Sequence, residues 1–386
     1  MIIGIDANWA VYEQAGIGKY TYNLIKALVE TDSVNQYVLF CNFFRKFGER
    51  KKFLEEMVKD AKTPVKLKIS PMPSAWHEWL TQTPIPAKLL YQEKIDVFHS
   101  PFFAGVPKNP LPNTVLTIHD LVFMKFPEHR GDKLSKYYLK RTKMALQASK
   151  KVIAVSESTK KDLIELLSVD PEKISVVYEG VDKQFKSVKD KNLIENTLQK
   201  YNLNDKSYIL SVCTLEPRKN LARLVKAYSL LPNYLQQKYK LVLTGKKGWN
   251  NTSLEQIIND LNLKDRIVST GFVSQEELPI IYNGAAVFAY PALYEGFGLP
   301  PLEALSCGTP VVTSNISSIP EVMGKAALLI NPYKEEEIAR AIKSILTDPE
   351  LAAKMREMGF NQSKRFSWQK AARETVEVYK SLKSKV

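Results

Sequence analysis

Glu295-Gly-Phe-Gly-Leu-Pro-Pro-Leu-Glu303 decides how this chain is read, because it sets two carboxylates on either side of a Gly-rich turn that runs into paired prolines. Pro suits the first turn of a helix, whose N–H groups lack intrahelical partners. A strand-like run from Ala285 to Tyr290 precedes the turn, and the helical stretch behind it breaks at Gly308-Thr309-Pro310. The order is therefore strand, loop, helix N-terminus. At Gly298-Leu299, free N–H groups and the positive end of the helix dipole face outward, and both favour a phosphate. The loop glycines let a ligand approach the backbone closely. Glu303, placed on the first turn, can accept two hydrogen bonds from a diol such as a ribose. Glu295, at the strand's end, can hold hydroxyls of a second group beyond the phosphates. That layout fits a sugar nucleotide; the plainer alternative is a solvated acidic loop before a Pro-started helix.

Around this stretch, short β-branched runs alternate with helical patterns from Ile2–Asp6 to Ala327–Ile330. Most are continuous apolar runs without strict alternation, as parallel strands covered on both faces require. Strand alternating with helix implies βαβ units and a doubly wound α/β sheet. The segment from Lys183 to Asp205 is charged and strand-poor, and a fresh β-α series begins at Tyr208. A domain boundary is therefore expected after Val181-Asp182, giving two Rossmann-like domains, 1–182 and 183–367. Ligands should bind outside the carboxyl ends of their strands.

The composition is globular: 45% hydrophobic and 25% charged over 386 residues, enough for two cores. No apolar run reaches the roughly 20 residues that span a bilayer. Met1-Ile-Ile-Gly-Ile-Asp6 leads directly into a strand without the regions of a signal peptide, and a cytoplasmic location is expected. Cys41, Cys213 and Cys307 are far apart and read as reduced thiols. The formal charge of +14 is unusual. Basic residues interleave with aromatics in Phe43-Phe-Arg-Lys-Phe-Gly-Glu-Arg-Lys-Lys-Phe53, and again from Lys133 to Lys143. Solvated helix faces explain both. Docking on an anionic membrane surface by Arg45, Lys46, Arg50, Lys51 and Lys52 with Phe43, Phe44 and Phe53 is the functional alternative. Nucleic acid ranks last, since no recognised binding module accompanies the charge.

Further candidates stand at strand ends. Arg218-Lys219 follow the run Tyr208–Val212, and Asn220 opens a helix. Two cations at a helix start oppose its dipole and call for an anion; a diphosphate suits them, with Arg binding bidentately, and a surface pair beside Glu216 is the alternative. His119-Asp120 end the run Val115–His119. A neutral His there can donate to a sugar hydroxyl or sit satisfied in the core, while Asp120 reads as a loop-orienting residue. His99-Ser-Pro101 is a weaker candidate for the acceptor side. Gly16-Ile-Gly18 permits a tight turn before the helix Tyr20–Val29. It lacks the third Gly and the acidic residue of a dinucleotide fingerprint. Gly245-Lys-Lys-Gly248 reads equally as added positive charge or a turn. No Asp-x-Asp pair and no His/Cys cluster is present, so no metal ligand set is expected.

The Glu295–Glu303 stretch resembles the glutamate-x7-glutamate signature of retaining glycosyltransferases of the large family 4 group, and Glu216–Asn220 resembles the EPRKN segment of its mannosyltransferase-like members. The resemblance covers essentially the whole chain. It implies a GT-B fold, in which two Rossmann-like doubly wound parallel-sheet domains face each other across a cleft and the last helix, 368–386, crosses back onto the first. It makes His119 a donor-sugar contact acting with Glu295, Arg218 and Lys219 in catalysis. Gly16 and Gly18 then lie near the donor phosphate, Val273 at the base, Gly298 and Leu299 at the phosphates, and Glu303 at the ribose. Many relatives carry a further phosphate-binding Arg where Thr214 stands here, which shifts charge compensation onto Arg218 and Lys219. The implied reaction is metal-independent hexose transfer with retention, from a nucleoside diphosphate sugar as donor substrate and with no other cofactor, to a glycan or lipid-linked acceptor. GDP-mannose is the first expectation and a UDP-sugar the second. A sugar-nucleotide epimerase of the same shape and a basic nucleic-acid-binding protein are the rival readings.

Overall fold

Runs of Val, Ile and Leu bounded by Gly, Pro and charged residues form strands that helices cover on both faces. The computed structural model describes residues 1–386 apart from 13–15, 84, 112, 130, 247–251 and 383–386. Among the described residues there are two sheets. The first contains β1 (Ile2–Asp6), β2 (Gln36–Asn42), β3 (Val65–Ser70), β4 (Val97–Ser100), β5 (Thr114–Ile118), β6 (Lys151–Ala154) and β7 (Ile174–Val176), in the order 3-2-1-4-5-6-7. The second contains β8 (Tyr208–Val212), β9 (Lys240–Thr244), β10 (Ile267–Gly271), β11 (Val287–Tyr290), β12 (Val311–Ser314) and β13 (Ala327–Ile330), in the order 10-9-8-11-12-13. Neighbouring strands pair in parallel, as β1 does with β2 and β8 with β11. The chain divides into two units, Met1–Gly180 with Ser367–Val386, and Val181–Phe366.

In each sheet the order turns back beside the first strand of its series, between β1 and β4 and between β8 and β11. Helices leave to opposite faces on either side of such a point, which opens a crevice at the carboxyl ends. Central strands β4, β5, β11 and β12 are buried throughout, whereas edge strand β3 is half-buried and carries Lys66 and Lys68. Both lysines pair with Glu93, at 2.8 and 2.6 Å, and charge on an edge discourages further strand pairing.

The last helix, Trp368–Ser381, is capped by Ser367 and packs within the first unit. A Cβ at Gly180 would lie 2.2 Å from the Trp368 nitrogen, so only glycine lets the two chain passes cross here. Tyr379 anchors the helix from inside. Its hydroxyl lies 2.7 Å from Nδ1 of His99, whose Nε2 lies 2.8 Å from Thr117 Oγ1, which in turn meets the Tyr20 hydroxyl at 3.1 Å. His99 is 0% exposed, so it is not the acceptor-side residue that its strand-end position suggests. It is a satisfied core histidine.

Burial, with His119 nearby, pushes the His99 imidazole down to about 3. The unfolded chain binds a proton near pH 6.5 that the folded chain refuses. Stability from this group is therefore complete above that pH and falls as pH drops toward 3, by up to about 1.4 kcal/mol per unit. Urea unfolding at several pH values should show this slope in the native protein and a shallower one in His99→Phe. Equal slopes would contradict the assignment.

The basic–aromatic stretch is partly structural. Phe43 is buried, with the Arg50 guanidinium 5.9 Å from its ring centroid and 4.4 Å from that of Tyr12. Phe43 is thus withdrawn from any membrane-facing set, because it closes the end of β2. Phe44 is 67% exposed, and Phe47 and Phe53 are also exposed. Lys46 and Lys51 pair with Glu49 and Glu55 along the helix Phe47–Met57. In the second stretch Arg141 is buried and donates to the Ala104 carbonyl at 3.0 Å. Among the described residues no helix is long and apolar enough to cross a membrane. Cys41, Cys213 and Cys307 are free and buried.

Candidate functional site

In the second unit, the loops after β8 and β11 flank the point where the strand order turns back. The loop after β8 folds as a single 3-10 turn, Pro217–Lys219, and ends on Asn220 at a left-handed φ of 61°. Asn tolerates that conformation, and its side-chain amide donates to the Pro291 and Pro332 carbonyls at 3.0 and 2.7 Å. The Leu293 N–H donates to the Arg218 carbonyl at 2.8 Å, which ties the two loops together. Arg218 and Lys219 therefore point at the β11 loop from a fixed frame.

They meet Glu295 there. Its Oε1 accepts from Lys219 Nζ at 2.6 Å, from Tyr290 Oη at 2.9 Å and from Arg218 Nη1 at 3.0 Å. Arg218 also donates to Glu216 Oε1 at 2.6 Å and to the Tyr294 carbonyl at 2.7 Å. Glu295 and Lys219 are each 8% exposed. Burial pushes the Glu295 carboxyl upward, but Arg218 and Lys219 outweigh it and hold the group below the usual carboxylate range. The anion that the two cations call for is thus supplied within the chain, by Glu216 and Glu295. Two positive and two negative side chains balance, and an arriving diphosphate would compete with Glu295 for the same donors.

The turn itself is built for close approach. Gly298 has φ 104°, and a Cβ there would lie 2.7 Å from Ile319 Cδ1. The helix Leu299–Ser306 follows, with Pro300 and Pro301 near its start. Prolines carry no N–H, and the Leu302 N–H reaches back to the Gly298 carbonyl at 3.4 Å. Donors at this terminus are fewer than the spacing suggests, and the N–H groups of Gly298 and Leu299 remain. Glu303 lies one turn further in than expected, since no acidic residue stands in the first turn. It is 5% exposed, and its Oε2 accepts from Tyr282 at 3.0 Å.

The neighbouring loops are stitched to this rim. The Gly245 N–H donates to the Gly271 carbonyl at 2.9 Å and the Leu215 N–H to the Lys246 carbonyl at 3.1 Å. Val273 is buried beside Phe272, which is exposed with Lys246 Nζ 5.1 Å from its ring centroid. Lys247 and Gly248 lie outside the described residues. Tyr290, Tyr282, Ser317 and Ser318 belong to the site without any sequence signal. Ser317 Oγ accepts from the Glu295 N–H at 3.0 Å, and Ser318 Oγ lies 2.9 Å from the Glu295 carbonyl.

The remaining candidates lie in the first unit. His119 follows β5; its Nε2 donates to the Pro101 carbonyl at 2.9 Å, its Nδ1 lies 3.4 Å from Oε1 of buried Glu179, and its ring meets Tyr20 edge-on. Glu179 is a partner that no motif announces. Asp120 accepts from the Val122 N–H at 3.0 Å and orients the loop. Gly16, at φ 50° and ψ −118°, precedes the helix Ile17–Thr31, which starts earlier than expected and takes Gly18 into its first turn as a buried residue. Among the described residues no group of three or more His, Cys, Asp or Glu could hold a metal ion.

A family model described as "Glycosyl transferases group 1" matches residues 194–362, and one described as "Glycosyltransferase Family 4" matches residues 15–185. Over 374 residues the chain is 31% identical to the O-antigen chain mannosyltransferase B of Escherichia coli, covering 96% of this chain and 97% of that one. It is 33% identical over 236 residues to the O-antigen chain mannosyltransferase RfbU of Salmonella typhimurium, covering 61% of each. Among solved structures, HepE of Anabaena in complex with UDP and glucose superposes with a TM-score of 0.74 at 20% identity, covering 98% of this chain and 99% of that one. At that identity the likeness concerns the fold.

Proposed function

Because the chain belongs to the group 1 glycosyltransferases, we propose that it transfers mannose from GDP-mannose to a hydroxyl of a glycan or lipid-linked acceptor. It is a glycosyltransferase of the GT-B fold. One observation carries the finer reading: a single carboxylate oxygen of Glu295 gathers Lys219, Arg218 and Tyr290 at the turning point of the second sheet. Arg218 and Lys219 meet the charge that develops on the diphosphate as its bond to the sugar breaks, which is preorganised electrostatic stabilisation. The N–H groups of Gly298 and Leu299 receive a phosphate oxygen, Glu303 the ribose hydroxyls and Glu295 a hydroxyl of the sugar. The backbone at Val273 pairs with the base, Gly16 and Gly18 sit toward the donor phosphate, and His119 contacts the sugar. Configuration at the anomeric carbon is retained. The mannosyltransferase relatives and the Glu216–Asn220 segment favour GDP-mannose, with a UDP-sugar second.

The test is nucleotide release with GDP-mannose and a panel of UDP-sugars, with and without a mannosyl acceptor. GDP release that the acceptor accelerates is expected. Acceptor-independent conversion to an isomeric sugar nucleotide would favour the epimerase instead. Since cationic side chains meet the leaving charge, transfer should proceed undiminished in EDTA; activity lost to the chelator and restored by Mg²⁺ or Mn²⁺ would sink this mechanism.

We further infer reversible docking of the first unit on an anionic membrane. Arg45, Lys46, Arg50, Lys51 and Lys52 accompany exposed Phe44, Phe47 and Phe53. Trp76 and Trp79, on the helix Ser74–Thr81, are exposed as well, and the Phe43 N–H bonds the Ser70 carbonyl to hold the two segments' bases together. Each cation near an anionic surface contributes about 1 kcal/mol, less where Glu49 and Glu55 pair with it. Sedimentation with phosphatidylglycerol vesicles should exceed that with neutral vesicles at low salt and fall at high salt. Equal, poor sedimentation with both would leave the stretch a solvated surface.

A further inference from the structure

Glu295 and Asp6 show how this chain treats a buried carboxylate. Glu295 Oε1 accepts from Lys219, Tyr290 and Arg218, and Asp6 Oδ1 accepts from the Asn8 N–H and side-chain amide. Glu179 is treated differently. It is 5% exposed, yet among the described residues its one side-chain partner is Nδ1 of His119, at 3.4 Å. A buried carboxylate is costly to hold without donors or a cation to compensate it, and an apolar side chain of similar volume would pack at no such cost. The charge at Glu179 is therefore explained by what it does to His119.

Strand order brings the two together. His119 follows β5 and Glu179 follows β7, with β6 between them. After β6 the chain turns at Ser156 into the helix Glu157–Leu167, and Thr159 Oγ1 on that helix donates to the His119 carbonyl at 3.1 Å. This bond holds the histidine backbone. On the ring, Nε2 donates to the Pro101 carbonyl at 2.9 Å, and the Tyr20 ring stands edge-on with centroids 4.6 Å apart. Glu179 immediately precedes Gly180, where the Trp368 nitrogen leaves no room for a Cβ. The crossing of the last helix thus sets the backbone that carries the carboxylate.

Proton accounting gives the contact its direction. A carbonyl only accepts, so Nε2 carries a proton. A bare Nδ1 would set its lone pair against a carboxylate oxygen, which is equally an acceptor. One proton therefore lies between Nδ1 and Oε1. The other titratable groups nearby are engaged elsewhere: the Tyr20 hydroxyl with Thr117 at 3.1 Å, Asp120 with the Val122 N–H at 3.0 Å, and His99 with Tyr379 and Thr117. At 3.4 Å the contact is longer than an ordinary hydrogen bond. Contacts of this kind are often long before substrate arrives and tighten with it.

We propose that Glu179 is the positioning residue of His119: its carboxylate accepts from Nδ1 while the Pro101 carbonyl accepts from Nε2, which fixes the ring and keeps a proton on each nitrogen of the group that meets the donor sugar. The assignment rests on the reading of His119 as a sugar contact. Three quantities test it in the native protein, Glu179→Gln and His119→Ala. They are kcat with GDP-mannose, or with the UDP-sugar that releases most nucleotide, the affinity for the matching diphosphate, and imidazole ¹⁵N NMR. The chain has four histidines, and the signal missing in His119→Ala assigns the ring. Glu179→Gln keeps the shape of the side chain. It should lower kcat roughly tenfold or more, leave diphosphate affinity unchanged and remove the proton from Nδ1. A native rate in Glu179→Gln beside a slow His119→Ala would overturn the positioning role and leave the sugar contact standing. A native rate in His119→Ala would remove His119 from the sugar, and the positioning role with it. Loss of diphosphate affinity in step with kcat would make Glu179 a general structural residue and overturn the proposal. Should Glu179→Gln fail to fold, the native spectrum decides: protons on both ring nitrogens uphold the contact, and a ring protonated on Nε2 alone overturns it.

Discussion

Glu295→Gln is expected to lower transfer by roughly 10- to 150-fold while leaving affinity for the free nucleoside diphosphate equal to or above that of the native protein. The two effects have opposite signs because Glu295 faces two partners. Its Oε1 holds Lys219 at 2.6 Å and Arg218 at 3.0 Å, the same donors that a diphosphate needs. Gln keeps an acceptor oxygen and the shape, and removes the competing charge, so the cations are easier for a phosphate to reach. The sugar loses a hydrogen bond to a charged group, worth about 1.5–3 kcal/mol. Steady-state transfer and direct titration of the diphosphate separate the two. A fall in diphosphate affinity that matches the fall in transfer would remove Glu295 from the sugar and make it a structural partner only.

Lys219→Met should be more damaging still, lowering turnover by roughly 10²–10³, the usual cost of deleting one donor aimed at developing charge. The fold should survive, since Arg218 and Tyr290 still donate to Glu295 and Met fills the space of the aliphatic stem. Loss should therefore appear in turnover before it appears in the melting temperature. A variant that unfolds cooperatively like the native protein and transfers at the native rate would exclude Lys219 from the leaving-group charge.

The sheets were open to reading because parallel strands buried on both faces leave continuous apolar runs, and Ile2–Asp6 and Tyr208–Val212 occur as read. Arg218, Lys219, Glu295 and Glu303 were visible because glycines and prolines punctuate the loops that carry them. Their pairing was not. Arg218 and Glu295 meet only because β11 lies beside β8, with β9 and β10 on the other side, and strand order leaves no local trace. Ser317 and Glu179 were invisible for the same reason: each serves the site through a contact distant in sequence, as Tyr290 does in accepting from Lys219. Phe43 and His99 show the converse error. Both look available in one dimension, and burial decides otherwise, with the Arg50 guanidinium near the Phe43 ring and Tyr379 of the last helix on His99.

The claim that Arg218 and Lys219 form a diphosphate site is most directly tested by calorimetric titration of GDP and GMP, or of UDP and UMP, into the native protein and Lys219→Met. Lys219 bears on the second phosphate and not on the nucleoside. The native protein should prefer the diphosphate by roughly tenfold or more, as one charge-assisted hydrogen bond implies, and Lys219→Met should lose most of that preference while binding the monophosphate unchanged. An undiminished preference in Lys219→Met would contradict the account.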